Sequence, residues 1–113
     1  MKIGVTSQNF KTITGHAGKT RRFLVFSASE EGQWVEVDRL NLTKDMSIHE
    51  FKGRAHPVDD FDVLITAGCG QGFINKMAGR GVNVVATSET DPAKAVNDFA
   101  AGVTLAPAEP HTH

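Results

Sequence analysis

The run formed by residues 61–67 constrains the fold more than any other feature, because it is nearly continuous in apolar character and holds no glycine or proline. A strand that is apolar on both sides suits the inside of a sheet covered on both faces, and such a strand is typically parallel to a neighbour. The glycine-rich stretch 68–72 follows directly. Beyond it, apolar residues recur at the spacing of an amphipathic helix: Phe73, Ile74, Met77 and Ala78. This strand–turn–helix pattern predicts a protein of the α/β class.

The rest of the chain is expected to supply four more strands and a second long helix. The predicted strands, rich in branched or aromatic residues, are 1–7, 23–26, 34–40 and 82–87. The helix begins at the Asp91-Pro92 pair, which provides a capping residue and a proline for the first turn, and it ends at Gly102. A short helix is also predicted around residues 47–52. Residues 103–105 are expected to rejoin the edge of the sheet.

These elements combine into a mixed five-stranded sheet with helices on both faces. Strands 23–26 and 34–40 form a hairpin because they are consecutive and a short polar loop separates them. The first strand then lies between this hairpin and the strand at 61–67, which needs a parallel partner. A single domain is predicted over residues 1–105. Residues 106–113, which hold two prolines and two histidines, are predicted to form a flexible tail.

Composition and charge exclude several classes of partner. The 113 residues include 12 Lys+Arg and 13 Asp+Glu, so the chain lacks the excess of positive charge that non-specific binding to nucleic acid or to an anionic membrane surface requires. No apolar run approaches the ~18 residues of a membrane span, and the N-terminus lacks a signal-peptide pattern. We therefore expect a cytoplasmic protein, a monomer or weak dimer, whose partners are neither nucleic acid nor membrane. The single cysteine excludes an internal disulfide.

The glycine-rich turn is the first candidate for chemistry. Gly68, Gly70 and Gly72 precede a helix, where free N–H groups and the helix dipole favour a bound anion. A tight strand-to-helix turn explains the same glycines equally well, and the spacing matches neither common nucleotide-binding pattern. Cys69 lies inside this turn. It is either a small buried apolar residue or a metal ligand whose pKa the helix start lowers.

A second candidate loop follows the first strand. His16 stands between Gly15 and Gly18, and loops that leave neighbouring parallel strands open at the same carboxyl edge, so His16 and the Cys69 turn are expected to converge. A solvated surface histidine is the alternative. Three cations follow this loop and either neutralise an anion or are simply solvated: Lys19, Arg21 and Arg22.

The remaining titratable residues form no catalytic or zinc pattern. His49 and His56 are seven residues apart and match no zinc-binding spacing. Asp59, Asp60 and Asp62 lie before or at the beginning of the central strand, which is the wrong end for acid–base chemistry in this fold class. No constellation of carboxylates suited to catalysis is present.

Four stretches together resemble a known family. They are the loop TGHAGK at residues 14–19, the His56-Pro57 pair, DVLITAGCGQG at residues 62–72, and GRGVNVVATSETDPAKAV at residues 79–96. The chain resembles the dinitrogenase iron-molybdenum cofactor biosynthesis family, which includes NifX, NafY, the C-terminal domain of NifB and the orange protein. The family loop usually reads H-F-G-R-A-P, of which this chain keeps the histidine and the glycine. The family turn G-M-G has a cysteine in its middle position here.

The resemblance implies a fold and a role. The fold is a three-layer ribonuclease-H-like α/β fold. The role is to bind, store or carry a metal–sulfur cluster (iron–sulfur, an iron–molybdenum precursor or molybdenum–copper) between donor and acceptor proteins, without catalysis. The implied metal ligands are His16, Cys69 and His56. The implied cradle for the anionic cluster is Gly18, Lys19, Arg21, Gly68, Gly70 and Gly72.

Two other functions stay open from the sequence. One is an anion-binding regulatory or interaction module that takes no metal. The other is a hydrolase or nuclease on the same fold, which the missing carboxylates at the strand ends disfavour.

Overall fold

Five strands and two α-helices make up the fold in the computed structural model, which describes residues 1–53 and 55–108. The strands are β1 (Lys2–Thr6), β2 (Arg22–Ala28), β3 (Trp34–Asn41), β4 (Val63–Thr66) and β5 (Asn83–Ala86). The α-helices are α1 (Gln71–Ala78) and α2 (Pro92–Ala100). Short 3-10 helices lie at Ala17–Lys19, Lys44–Met46 and Pro57–Asp60.

The sheet is mixed, with strand order β3-β2-β1-β4-β5. β2 pairs antiparallel with both β3 and β1, whereas β1–β4 and β4–β5 are parallel pairs. All four residues of β4 are buried, because this strand has a neighbour on each side and apolar side chains on both faces. The prediction that β1 lies between the hairpin and β4 is therefore confirmed.

Each face of the sheet carries its own hydrophobic cluster. Successive β4 residues point to opposite faces, so Leu64 belongs to one cluster whereas Val63 and Ile65 belong to the other. The Leu64 cluster contains side chains of α1, and the Val63 cluster contains side chains of α2. One α-helix therefore packs on each face, as the sequence predicts. The helix residues concerned are Phe73 and Met77 of α1 and Ala95 and Val96 of α2.

The predicted helix at residues 47–52 is wrong. Residues 44–46 form a 3-10 turn, and the chain then turns so that the N–H groups of Glu50 and Phe51 both donate to the Ser47 carbonyl. The N–H of His49 donates to the Gly18 carbonyl at 2.7 Å instead of to an acceptor within a helix. This contact with a distant loop takes the segment out of the helical hydrogen-bond ladder.

The end of the described chain also differs from the sequence prediction. Residues 103–105 form no strand. Instead, Thr87 forms an isolated bridge with Pro107, and the Ala106 carbonyl accepts hydrogen bonds from the Thr87 hydroxyl and the Ser88 N–H. The first residues of the predicted tail thus contact the end of β5. Residues 109–113 of that tail lie outside the described residues.

A reciprocal cap holds the chain just before β4. The Nδ1 atom of His56 accepts from the Val58 N–H at 3.1 Å, and the Asp59 carboxylate accepts from the His56 N–H at 3.0 Å. Arg80 forms an ion pair with Asp59 at 2.9 Å. Partial burial acts to raise the pKa of Asp59, but the His56 N–H and the Arg80 guanidinium together hold that pKa below its usual 3.8.

Acid should weaken this cap. Because the pKa of Asp59 is lowered on folding, its ionised form stabilises the fold above the usual pKa, and that stability disappears as the pH falls through the lowered value. We expect Asp59→Asn to reduce the free energy of unfolding by about 0.5–1 kcal/mol at pH 7, since the ion pair is solvent-exposed. Urea unfolding at a series of pH values should show the difference shrinking below pH 3.8. Asp60→Asn, an exposed change in the same turn that leaves the Asp59 cap in place, is the control and should be about as stable as the wild type at pH 7.

Candidate functional site

A pocket of about 310 Å³ opens at the carboxyl edge of the parallel strands. The loop after β1 and the turn between β4 and α1 both line it, and the Ala17 N–H donates to the Gly68 carbonyl at 3.5 Å where the two segments meet. The structure thus brings His16 and Cys69 to a single pocket. The lining residues are His16, Ala17, Gly18 and Lys19 from the loop, Gly68, Cys69 and Gly70 from the turn, and His49 and Phe73.

A buried pair of threonines ties the two segments together. The hydroxyl of Thr6, at the end of β1, donates to the hydroxyl of Thr66, at the end of β4, over 2.8 Å. Both hydroxyls also lie within hydrogen-bond distance of the Thr14 carbonyl, at 2.6 and 3.2 Å. That carbonyl also accepts from the Ala67 N–H at 3.1 Å. The loop that carries His16 is therefore bonded directly to the strand that leads to Cys69.

His16 adopts an unusual backbone conformation. Its φ of 54° and ψ of 49° place it in the left-handed region, where a residue other than glycine is strained by roughly 1 kcal/mol or more. It directly precedes the 3-10 helix Ala17–Lys19, and its carbonyl accepts from the Lys19 N–H at 2.9 Å. This fixed turn holds the exposed imidazole at the pocket.

Cys69 is half-buried and packs against the hydrophobic cluster that contains Phe73. Burial raises the pKa of its thiol. Of the two alternatives for Cys69, the lowered pKa expected for the metal-ligand interpretation is not found, because the shift is upward and burial causes it. The thiol is protonated at neutral pH and loses its proton when it binds a metal.

This environment makes Cys69 slow to alkylate. We expect iodoacetamide to modify the folded protein at pH 7.5 at least several-fold more slowly than it modifies a free cysteine in a short peptide, because the reactive thiolate is a smaller fraction of the population. The rate should rise steeply as the pH is raised. Mass spectrometry of timed samples measures both, and the urea-unfolded protein, which should react at the peptide rate, is the control. Equal rates for folded and unfolded protein would contradict the buried thiol.

The predicted cradle residues lie at or beside the pocket. Lys19 and three of the glycines line it directly. Arg21 lies in a neighbouring groove of about 510 Å³ that also contains Lys44, and Gly72 lines a smaller adjacent cavity. The glycines that line the pocket are Gly18, Gly68 and Gly70.

His56 does not line the pocket. It is buried, its Nδ1 accepts from the Val58 N–H, and its Nε2 contacts the Met46 carbonyl, so both ring nitrogens bond to the main chain. The structure gives it the role of a capping residue.

His49 reaches the pocket instead, although its sequence spacing signals nothing. Within residues 1–53 and 55–108, no three His, Cys, Asp or Glu side chains lie close enough together to hold one metal ion.

The structure therefore defines an α/β protein with a glycine-lined pocket, flanked by a lysine, at the carboxyl edge of parallel strands. The family model described as dinitrogenase iron-molybdenum cofactor matches residues 1–102. The chain belongs to this family, which confirms the resemblance seen in the sequence. The family is tied to biosynthesis of the iron–molybdenum cofactor, and this points to a cofactor-related role.

Two solved structures share the fold. A crystal structure of PH0822 superposes with a TM-score of 0.70 at 16% identity, covering 93% of this chain and 96% of that one. An NMR structure of a candidate NifB protein from Thermotoga (TM1290), described as a member of the DUF35 family, has a TM-score of 0.61 at 14% identity. The match covers 99% of this chain and 97% of that one. No curated protein matches the sequence. Among the described residues, no helix is both long and apolar enough to cross a membrane.

Proposed function

We propose that this protein binds and carries a metal–sulfur cluster or cofactor precursor, of the iron–molybdenum type or a related one, between donor and acceptor proteins, and that it is not an enzyme. The observation that carries the proposal is the meeting of His16, Cys69 and Lys19 around one open pocket. Imidazole and thiolate are suitable ligands for iron and copper, and an ammonium group favours an anionic cargo. The family membership supports the same role.

The glycines of the turn support close approach of a ligand. None of Gly68, Gly70 and Gly72 has a positive φ, so the backbone conformation does not require glycine there. A Cβ added to Gly70 or Gly72 would have no neighbour within 4 Å, so packing does not require it either. Gly70 is also the N-cap of α1 and offers no side chain to the N–H groups of the first turn. An anion bound above this turn would therefore contact main-chain N–H groups that no side chain covers.

The ribonuclease-H-like three-layer arrangement belongs to this proposal as well. A sheet with one α-helix packed on each face is consistent with it.

The two other functions differ from this one in what they need. An anion-binding module without metal would use Lys19 and the glycine turn but not the thiol of Cys69. A nuclease would use carboxylates at the pocket, and the residues that line it include neither aspartate nor glutamate.

Reconstitution under argon with tetrathiomolybdate and copper(I), or with ferrous iron and sulfide, tests the proposal. The wild type should acquire a visible absorption band with a fixed metal stoichiometry. Cys69→Ala and His16→Gly should each lower the affinity at least about tenfold, since even residues behind the ligands of a metal site contribute that much. His16→Gly is preferred to alanine because glycine adopts the left-handed conformation without strain.

Lys52→Ala, an exposed substitution away from the pocket, is the matched control and should load like the wild type. If the wild type takes up no metal–sulfur cargo but binds inorganic phosphate, and both site variants bind phosphate equally well, the protein is an anion-binding module that takes no metal. Equal loading of both variants with a full cluster would show that His16 and Cys69 are structural.

A further inference from the structure

His49 lies at the pocket although nothing in its sequence spacing predicts a role for it. It lines the pocket together with His16 and Cys69, and it also borders both neighbouring cavities. Its side chain is exposed. It therefore stands where three openings of the surface meet.

The main chain of His49 is anchored from several directions. Its N–H donates to the Gly18 carbonyl at 2.7 Å, which attaches it to the loop that carries His16. The two preceding residues, Ser47 and Ile48, are only 4% and 5% exposed. The Met46 carbonyl contacts the ring of the buried capping histidine described above. The imidazole is thus presented to the pocket from a fixed backbone.

Three residues with donor side chains line the pocket, each from a separate connection of the fold. His16 comes from the connection between β1 and β2, His49 from that between β3 and β4, and Cys69 from the turn between β4 and α1. A polynuclear cluster presents several metal positions, so donors on different segments can each reach one without meeting at a single ion. Neutral imidazole is a ligand that iron and copper accept readily.

We propose that His49 is a third protein ligand to the metal–sulfur cargo, and this inference rests on the proposed function. The competing role for His49 is purely structural, through its main-chain bond to Gly18. The two roles separate cleanly, because His49→Ala removes the imidazole and keeps the N–H that donates to Gly18. Lys52→Ala, an exposed change on the same connection, is the control.

The experiment uses full-length protein loaded with ferrous iron and sulfide under argon and reduced with dithionite. Pulsed EPR detects the ¹⁴N couplings of coordinating histidines. Couplings from two histidines are expected in the wild type and in Lys52→Ala. Coupling from one histidine is expected in His49→Ala and in His16→Gly, and no histidine coupling is expected in the variant that carries both substitutions. Release of iron to a chelator should be at least about tenfold faster in His49→Ala than in the control.

The outcomes separate this inference from the function on which it rests. If His49→Ala keeps both couplings and releases iron at the control rate, while His16→Gly loses a coupling, His49 is not a ligand and the carrier function stands. If the wild type takes up no cluster, both proposals fail. Circular dichroism and the melting temperature of His49→Ala should both match the wild type, because alanine keeps the N–H that donates to Gly18. Two retained couplings in a variant of unchanged melting temperature would leave His49 only its main-chain structural role.

Discussion

Gly4→Ala should lower the free energy of unfolding by about 3 kcal/mol, near the upper end of the range for overpacking a core. Gly4 is buried in β1, and a Cβ built there would lie only 2.3 Å from Cε2 and 2.4 Å from Cδ2 of Phe61. The Phe61 ring is itself buried and stands 6.1 Å from the ring of Phe23, centroid to centroid. The added methyl group must therefore displace a packed aromatic pair. Urea unfolding followed by circular dichroism measures the loss.

Two further variants make this result specific. Gly72→Ala is the matched control, because a Cβ at that helical position meets no neighbour within 4 Å, and it should stabilise the protein by about 0.5–1 kcal/mol. The double variant Gly4→Ala/Phe61→Leu should lose clearly less stability than the two single variants lose in sum, since the smaller side chain makes room for the methyl group. Strict additivity would refute steric conflict with Phe61 as the cause.

His56→Ala should reduce the free energy of unfolding by about 2–3 kcal/mol. The substitution leaves the Val58 N–H without its acceptor and the Met46 carbonyl without its partner, and each buried unsatisfied group costs about 1 kcal/mol or more. It also removes an edge-to-face contact with Phe51, whose ring centroid is 4.8 Å from that of His56. Chemical denaturation at pH 7 measures the effect.

His56→Asn should recover about half of that loss. An asparagine side chain at an N-cap accepts from the same N–H but cannot reach the Met46 carbonyl as the imidazole does. If the alanine variant loses less than about 1 kcal/mol, the cap is not a major support of the segment before β4. A normal cluster-loading capacity in His56→Asn would agree with its position away from the pocket.

The sequence predicts the sheet well because each strand carries its own local signal. The apolar run at 61–67 identifies a strand buried on both faces, and the hairpin and the parallel partner follow from chain order. The convergence of His16 and Cys69 follows from the same rule about parallel strands. These inferences need only the pattern of residues along single elements.

The remaining features depend on contacts between segments far apart in the chain. His49 stands in a stretch with no period, and the bond that places it reaches back to Gly18. The same contact replaces the predicted helix. The raised pKa of Cys69 results from burial, which a sequence motif does not reveal. The Phe61 ring that leaves no room for a Cβ at Gly4 is 57 positions away in the sequence.

The Thr6–Thr66 bond has a consequence for how any ligand of the pocket acts on the whole molecule. It joins the ends of two central strands, and the loops that leave those ends both line the pocket. A guest that touches both loops needs the two strands in place, so it binds the native state in preference to the unfolded chain. By mass action, a guest at about 100 times its dissociation constant adds roughly 2.7 kcal/mol to global stability. Occupancy of the pocket is therefore readable as an upward shift of the melting temperature, without any chromophore.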